Sequence, residues 1–347
     1  MKIQERIDAF AELGAVIRDS LSGKEIKKAS GLNELIQNQH LLNPWFTPEN
    51  VTFATSAIAG ELTPENLAKW TNSYPQLQHE TNPVKAGIIM AGNIPLAGFH
   101  DFISVLISGN HLVAKTSSKD SELIVKLAGI LCLIEPRFRD YIEFTEGQLG
   151  NFDVIIATGS NNSSRYFDHY FGKYPNIIRK NRNSIAFIEG SETNAELKNL
   201  GSDIFSYFGL GCRNVSKIFI PEGYDPVSLT TKWKSFSSLI KHFKYGNNYD
   251  FSKAVYIVNK ENFIDTGYLL LKEDKGLSSP VAVLYYEYYA SVSAFQSETE
   301  LLKDKIQCIV GHGHIPFGKA QSPHLWDYAD GIDTLQFLSK KNKAGIM

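Results

Sequence analysis

Residues 84–117 read VKAGIIMAGNIPLAGFHDFISVLISGNHLVAKTS, with two short apolar runs on either side of a helix-like segment. The runs at 86–90 and 111–115 are typical of buried strands, and the segment over 96–108 is typical of a helix. A strand, a glycine-containing loop, a helix and a second strand make a dinucleotide-type βαβ unit. The loop lacks the G-x-G-x-x-G fingerprint, so a conventional Rossmann phosphate turn is not expected.

The same alternation continues along the chain and predicts an α/β fold with parallel crossovers. Further strands are expected at 141–144, 153–157, 184–188, 215–221, 254–258, 268–271, 281–286 and 306–310. Helices are expected near 119–134, 161–171, 192–208, 227–242 and 297–304. Residues 1–80 are predicted to be mostly helical, and Thr-Pro-Glu-Asn at 47–50 and at 63–66 places a cap residue before a proline, which is a helix start signal.

Composition indicates a globular protein with two domain-sized cores, since 43% of the 347 residues are hydrophobic. The net charge is −2 and both signs are mixed along the chain, which argues against a nucleic-acid partner and against binding to anionic lipid. No apolar run approaches the ~18 residues that a membrane span needs, and the N-terminus lacks a signal-peptide core. We therefore expect no membrane span and a cytoplasmic location.

Cys212 is the candidate nucleophile among the three cysteines. It follows Gly-Leu-Gly and precedes Arg213, so a substrate can approach it closely and a cation can stabilise its thiolate. Cys132 and Cys308 lie in apolar runs, where cysteine behaves as a small hydrophobe. An odd number of cysteines at unrelated spacings argues against a disulfide framework and against a zinc site.

Four segments or domains follow from these patterns. They are a helical N-terminal region (1–83), a cofactor-binding domain (84–190), a catalytic domain that carries Cys212 (191–320) and a C-terminal segment (321–347).

Asn93 follows the first strand of the βαβ unit, where ligands meet open α/β sheets. Its amide can donate to an oxyanion beside the cysteine, or it can simply cap a helix that begins near Leu96. Lys115, at the end of the second strand, and Ser117, just after it, are placed for a nucleotide ribose or phosphate. The alternative is that Lys115 is a plain surface charge. Thr158, Gly159 and Ser160 form a turn before a helix, whose amides suit a phosphate.

His312 and His314 invite a metal interpretation. No carboxylate or cysteine lies at a matching helical spacing, so the sequence predicts no metal site.

These segments, in this order, resemble the aldehyde dehydrogenase superfamily, and more closely its acyl-CoA reductase branch, the LuxC-like family of bacterial luminescence systems. The resemblance covers about 84–335. It includes Asn93-Ile94-Pro95 as the Asn-x-Pro loop, 108–117 as the strand that ends in Lys-Pro-Ser, and the Thr-Gly-Ser turn at 158–160. Gly209-Leu210-Gly211-Cys212 is similar to the loop that carries the nucleophile. Residues 316–319 are similar to the Pro-Phe-Gly-Gly segment, and residues 327–334 to the C-terminal end of sequences in the reductase branch.

Two departures from the superfamily pattern bear on the chemistry. Hydrolytic members carry a glutamate a few tens of residues before the cysteine, whereas 177–184 contains no carboxylate. A thioester on Cys212 should then await hydride or another acceptor instead of water. NAD-specific members often have a glutamate after Lys-Pro-Ser, and Ser118 stands at this position here. The anion that would repel a 2′-phosphate is therefore missing, which favours NADPH. The segment that holds the nicotinamide ribose in relatives is degenerate at 276–280.

The resemblance implies a cytoplasmic reductase that takes a fatty acyl-CoA to an aldehyde through a Cys212 thioester, with Asn93 and the Cys212 amide as oxyanion donors. It implies NADPH as cofactor, with NADH as an alternative, and a homo-oligomer. Two other interpretations stay open. One is a sibling enzyme that uses an acyl phosphate or oxidises an aldehyde, and the other is a fold relative that binds a nucleotide or a partner protein without turnover.

Overall fold

The structure is a computed structural model that describes residues 1–79 and 82–341. The chain forms two compact units, one of residues 1–181 with the segment from His324 onward, and one of residues 182–323. The domain boundary expected at 190 therefore lies earlier, because the strand expected at 184–188 pairs within the second unit. Most of the segment 321–347 belongs with the first unit.

The N-terminal region is helical, as predicted. Its helices are α1 (Ile3–Leu21), α2 (Leu32–Leu42), α3 (Pro48–Glu61) and α4 (Pro64–Asn72). Thr47 and Thr63 accept backbone hydrogen bonds from Asn50 and Asn66, which confirms the two start signals. The buried faces of these helices share one apolar core with the first sheet.

The first unit contains a parallel five-stranded sheet. Its strands are β1 (Lys85–Ile89), β2 (His111–Lys115), β3 (Ile142–Thr145), β4 (Val154–Thr158) and β5 (Asn176–Arg179), joined through α5 (Phe99–Ile107), α6 (Glu122–Ile134) and α7 (Asn161–Phe171). Their order is β3-β2-β1-β4-β5. The central strands are apolar on both faces, as a covered parallel sheet requires. The predicted βαβ unit is confirmed, while β5 was not predicted.

The second unit contains a six-stranded sheet in the order β11-β6-β7-β10-β9-β8. Its strands are β6 (Asn183–Phe187), β7 (Val215–Pro221), β8 (Ile264–Asp265), β9 (Leu270–Glu273), β10 (Val283–Tyr289) and β11 (Ile306–Val310). The helices are α8 (Asn194–Phe205), α9 (Pro226–Thr230), α10 (Phe243–Val258) and α11 (Val292–Leu301). The short β8 alone runs antiparallel to its neighbour, β9.

The strand predicted at 254–258 is wrong, since these residues complete α10. Tyr245, Tyr249, Ser252 and Tyr256 are buried at helical spacing along this helix, and that face packs into the unit. The apolar run that suggested a strand lies partly on the opposite face, where Val258 is 79% exposed. A short apolar run cannot by itself distinguish a strand from a helix end.

The C-terminal segment is tied to the N-terminal helices by a chain of hydrogen bonds. Trp70 donates its indole N–H to the Tyr328 hydroxyl at 2.6 Å, and the Tyr74 hydroxyl donates to Asp333 at 2.7 Å. The last described helix, α12 (Thr334–Lys341), packs on α5. These contacts explain why the segment belongs with the first unit. Within the described parts of the chain, no helix has both the length and the apolar character needed to cross a membrane.

Candidate active site

Cys212 lies in the loop between α8 and β7 of the second unit, and its side chain is exposed. Cys132 and Cys308 are half-buried. Burial raises the pKa of the Cys132 thiol, which makes it a poorer nucleophile. The sulfur of Cys308 lies 3.0 Å from the hydroxyl of Ser184, and that hydroxyl donates to the backbone carbonyl of Cys212 at 2.9 Å. The three thiols therefore differ in access as the sequence predicts.

The backbone enters the cysteine loop through a left-handed turn. The φ angles of Tyr207, Phe208 and Gly209 are 52°, 58° and 78°. The left-handed conformation costs a residue other than glycine about 1–2 kcal/mol, so this turn must be held by its surroundings. Both aromatic side chains are only 5% exposed, and their burial supports the strained backbone.

Asn214 is the buried side chain that holds the cysteine loop, and it is 2% exposed. Its side-chain oxygen accepts from the Gly211 N–H at 2.8 Å. Its amide group donates to three backbone carbonyls around the end of α8, those of Asp203, Ile204 and Ser206. One side chain thus joins the residue before the cysteine to the helix that precedes it. No local sequence pattern indicates this role of Asn214.

Asp203 connects the same helix to the segment that resembles Pro-Phe-Gly-Gly. Its carboxylate accepts from the backbone N–H groups of Gly318 at 2.6 Å and Ala320 at 2.9 Å. Burial raises the pKa of Asp203 to about 6. Arg213 donates through Nε to the Ala320 carbonyl at 2.6 Å. An effect of Arg213 on the pKa of the neighbouring thiol stays a prediction.

The proposed cofactor residues lie at the carboxyl edge of the first sheet. Ile89 at the end of β1 is in register with Lys115 on one side and with Ala157 on the other. The loops after β1, β2 and β4 therefore leave the sheet at the same edge. Successive strands are added on one side of β1 as far as β3 and then on its other side from β4 onward. Open α/β sheets bind ligands at the point where the strand order reverses in this way.

Asn93 is exposed at a bend in the loop after β1. The helix that follows begins at Phe99, with Gly98 as its N-terminal flanking residue. The alternative in which Asn93 caps a helix starting near Leu96 is therefore wrong. The role of Asn93 as an oxyanion donor stays a prediction.

The loops after β1 and β2 are in close contact. A Cβ atom on Gly92 would lie 2.2 Å from the Ser117 hydroxyl, so only glycine fits at this position. Leu96 donates its backbone N–H to Asp120 at 2.6 Å. Asp120 is 5% exposed, and burial raises its pKa to about 7. The residues around Asp120 in the sequence do not indicate which backbone amide it binds, so this contact was not predicted.

The Thr-Gly-Ser turn fits a phosphate, since it opens α7 and leaves the positive end of that helix toward the sheet edge. Ser160 caps the helix by accepting from Ser163, while Gly159 lies against Phe167, where a Cβ would clash at 2.8 Å. The ammonium of Lys115 forms no hydrogen bond or ion pair with any residue of 1–79 and 82–341. Binding of a nicotinamide dinucleotide by these groups stays a prediction.

Arg179, at the end of β5, lies in the stretch where hydrolytic relatives carry their glutamate. It is 5% exposed and forms an ion pair of 2.5 Å with the buried Asp101. It also donates to the Thr334 hydroxyl at 2.9 Å and to that of Thr158 at 3.4 Å. The Arg179 side chain therefore helps to hold the Thr-Gly-Ser turn and has a structural role.

His312 lies among carboxylates that are distant in sequence. Its ring nitrogens are each 3.0 Å from a carboxylate oxygen, of Glu189 and of Glu196, and both contacts raise the pKa of His312. Glu189, Glu192 and His312 could together present ligand atoms within 4.8 Å of one another. The expectation of no metal site rested on local spacing, which could not reveal a cluster that the fold assembles.

Known protein sequences resemble this chain only weakly. No family model matches the chain. The chain is 21% identical over 203 residues to the long-chain acyl-protein thioester reductase of Aliivibrio fischeri. That match covers 54% of this chain and 42% of the relative, so it spans less than half of the relative's length.

Solved structures are similar over most of the chain. The NAD⁺ complex of an aldehyde dehydrogenase from Bacillus cereus has a TM-score of 0.62 at 12% identity, covering 89% of this chain and 72% of that one. The NADP complex of the NADP-dependent glyceraldehyde-3-phosphate dehydrogenase from Bacillus halodurans has a TM-score of 0.60 at 12% identity, covering 89% and 74%. The chain therefore has the α/β fold of the aldehyde dehydrogenase superfamily.

Proposed function

We propose that this protein is an acyl-CoA reductase, which transfers a fatty acyl group from CoA to Cys212 and reduces the thioester to an aldehyde with NADPH. The observation that carries the proposal is the exposed Cys212 on a loop held by the buried Asn214, while the other two cysteines are half-buried. The fold, and the similarity to an acyl-protein thioester reductase, support the same chemistry.

In this proposal the Cys212 thiolate attacks the acyl carbonyl, and the bond between that carbon and the CoA sulfur breaks. The side-chain amide of Asn93 and the backbone N–H of Cys212 donate to the oxyanion that forms. A nicotinamide cofactor, when bound, supplies the hydride. With a proton, the acyl-enzyme then becomes a thiohemiacetal on Cys212, which releases the aldehyde and regenerates the thiol.

The composition of the stretch 177–184 favours reduction over hydrolysis. It contains no carboxylate, and its Arg179 is buried in an ion pair. General-base assistance is typically worth about 10²–10⁴-fold, so a thioester on Cys212 would react slowly with water. An acyl-enzyme should persist long enough to be reduced.

We further propose that Lys115, Ser117, Thr158, Gly159 and Ser160 bind the cofactor. Lys115 and Ser117 would reach the ribose or its 2′-phosphate, and the amides at the start of α7 would meet the pyrophosphate. Ser118 is exposed and neutral, so this position carries no anion that would repel a 2′-phosphate. NADPH is therefore the expected cofactor, with NADH as an alternative, and we expect a homo-oligomer.

Intact-mass measurement with acyl-CoAs of graded chain length tests the proposal. Without cofactor, we expect a stable acyl adduct on the wild-type protein and on Cys132→Ala and Cys308→Ala, and none on Cys212→Ala. Addition of NADPH should remove the adduct and yield aldehyde. An adduct that survives on Cys212→Ala, or rapid release of free fatty acid without NADPH, would contradict the proposal. Acyl phosphates in place of acyl-CoA, with phosphate release as readout, would identify the sibling activity.

A further inference from the structure

The loop of residues 91–98, which we name the Asn93 loop, contains a strained position. Leu96 has a φ of 58°, and its side chain is 5% exposed. A branched residue in the left-handed conformation costs about 1–2 kcal/mol and persists only where the surroundings hold it. Asn93 lies three residues before this position. Whatever holds Leu96 therefore also sets the path of the backbone that carries Asn93.

Asp120 holds Leu96 directly. Its Oδ2 atom accepts the Leu96 N–H at 2.6 Å, a short distance typical of a charge-assisted bond. Asp120 is itself placed by the turn after β2, where its backbone N–H donates to the Ser117 carbonyl at 3.0 Å. Ser117 in turn lies against Gly92, one residue before Asn93. The two loops are thus joined on both sides of Asn93.

The second carboxylate oxygen of Asp120, Oδ1, is buried without a hydrogen-bond partner among the residues that the structure describes. Leaving a buried polar atom unsatisfied costs free energy, and burial raises the pKa of this carboxyl group to about 7. A residue that served packing alone would be better apolar. The Asp120 carboxylate is costly to bury and accepts the N–H of the strained Leu96, which indicates that it holds the conformation of the loop.

We propose that Asp120 is a positioning residue for acyl transfer, because it fixes the Asn93 loop in the conformation that presents the Asn93 amide to the oxyanion. This inference rests on the proposed function, in which Asn93 is the oxyanion donor. In this proposal Asp120 touches neither substrate nor cofactor. It acts through the Leu96 backbone, so its effect on the rate must depend on the presence of Asn93.

A double-mutant cycle on acylation tests this dependence. The rate of adduct formation from labelled acyl-CoA would be measured for the wild-type protein, Asp120→Ala, Asn93→Ala and the double variant. We expect Asn93→Ala to be slower by about 10²-fold, as for loss of one oxyanion donor, and Asp120→Ala to be slower by about 10-fold or more. The double variant should be no slower than Asn93→Ala alone. Equal rates for Asp120→Ala and wild type, or a double variant slowed by the product of the two factors, would overturn the inference.

Two further variants separate positioning from general stability. Asp120→Asn keeps an oxygen that can accept the Leu96 N–H, so it should acylate within a few-fold of wild type. Asp120→Ser keeps a polar group but lacks the reach to Leu96, and it should be slow even if Asp120→Ala fails to fold. If the Asn and Ser variants acylate equally fast, Asp120 does not act through Leu96.

Hydrogen exchange of the Leu96 amide gives a readout that does not depend on activity. Exchange should be faster in Asp120→Ser than in wild type, while amides in the middle of β4 remain unchanged. A wild-type protein that forms no adduct with any acyl-CoA would overturn the proposed function and the role in acyl transfer together. A wild-type protein that acylates normally, with Asp120→Ser acylating equally fast, would overturn only the inference about Asp120.

Discussion

Gly211 donates its backbone N–H to the side-chain oxygen of Asn214 at 2.8 Å, which fixes the residue before Cys212 from within the second unit. The same Asn214 side chain donates to carbonyls at the end of α8. The position of the candidate nucleophile therefore depends on one buried amide three residues after Gly211.

We expect Asn214→Ala to lower both stability and acylation. The substitution leaves Gly211 N–H and several helix-end carbonyls without their partner in a buried site, which should lower the free energy of unfolding by roughly 2–4 kcal/mol. Urea denaturation measures the first effect, and the rate of adduct formation on folded protein measures the second. Asn247→Ala, on the exposed face of α10, is the matched control and should change stability by less than about 0.5 kcal/mol. Equal stability of the two variants would show that the Asn214 bonds contribute little.

The buried ion pair between Lys217 and Glu287 gives a second prediction. The Lys217 side chain is fully buried and also donates to the Lys275 carbonyl at 3.1 Å, whereas Glu287 is 18% exposed. Glu287→Gln would leave the lysine charge buried and uncompensated, at a cost of about 3–5 kcal/mol in the free energy of unfolding. Replacing both partners, as Lys217→Met with Glu287→Leu, should recover much of that loss.

The matched control is the exposed pair of Lys303 and Glu300, whose side chains are 64% and 69% exposed. Glu300→Gln should change the free energy of unfolding by less than about 1 kcal/mol. Urea is the suitable denaturant, because guanidinium chloride would screen both ion pairs. A loss for Glu287→Gln no larger than that for Glu300→Gln would contradict the prediction.

The raised pKa of Asp120 predicts a pH dependence of stability. Its pKa in the folded protein is about 7, above the value of about 3.9 expected for an unfolded chain. The folded state therefore binds the extra proton between these values, and the contribution of Asp120 to stability falls as pH rises from about 4 to 7. The change is at most about 4 kcal/mol.

Asp120→Asn cannot titrate and should lack this component. The difference in unfolding free energy between wild type and Asp120→Asn, measured in urea at several pH values, should therefore shift in favour of the variant as pH rises. A difference that stays constant from pH 4.5 to 7.5 would mean that burial does not raise this pKa.

The pattern of residues 84–117 was sufficient to predict the βαβ unit. Both strands are buried apolar runs of the right length, and the helix between them is buried over most of its residues. The run at 254–258 misled, since burial at helical spacing begins at Tyr245, well before the apolar residues that suggested a strand. Strand β5 was not predicted, because it has only four residues and ends in Arg179. Such a short stretch shows little of the apolar pattern that indicates a strand.

The candidate site was predictable where local chemistry defines it. The glycines before Cys212 and the turn at 158–160 are local features, and in the structure Cys212 is exposed and Ser160 caps α7. Asp120 and Asn214 were not predictable, because their partners are fixed by loop conformations that no spacing reveals. The cluster around His312 shows the same limit, since its carboxylates lie more than a hundred residues earlier.

Ser118 gives a test of cofactor preference that depends on charge alone. It is exposed in the turn after β2, beside the proposed cofactor residues Lys115 and Ser117. Ser118→Glu would place an anion there, which would repel a 2′-phosphate but could accept the 2′-hydroxyl of NADH. We expect the ratio of kcat/KM for NADPH to that for NADH to fall by about 10-fold or more, which corresponds to about 1.4 kcal/mol of discrimination. Ser118→Gln has the same length without the charge, so it should change this ratio far less. If Ser118→Glu and Ser118→Gln alter the ratio equally, the size of the side chain and not its charge governs this position. The wild-type protein could instead prefer NADH strongly, with Ser118→Glu leaving that preference unchanged. In that case the 2′-phosphate site lies elsewhere.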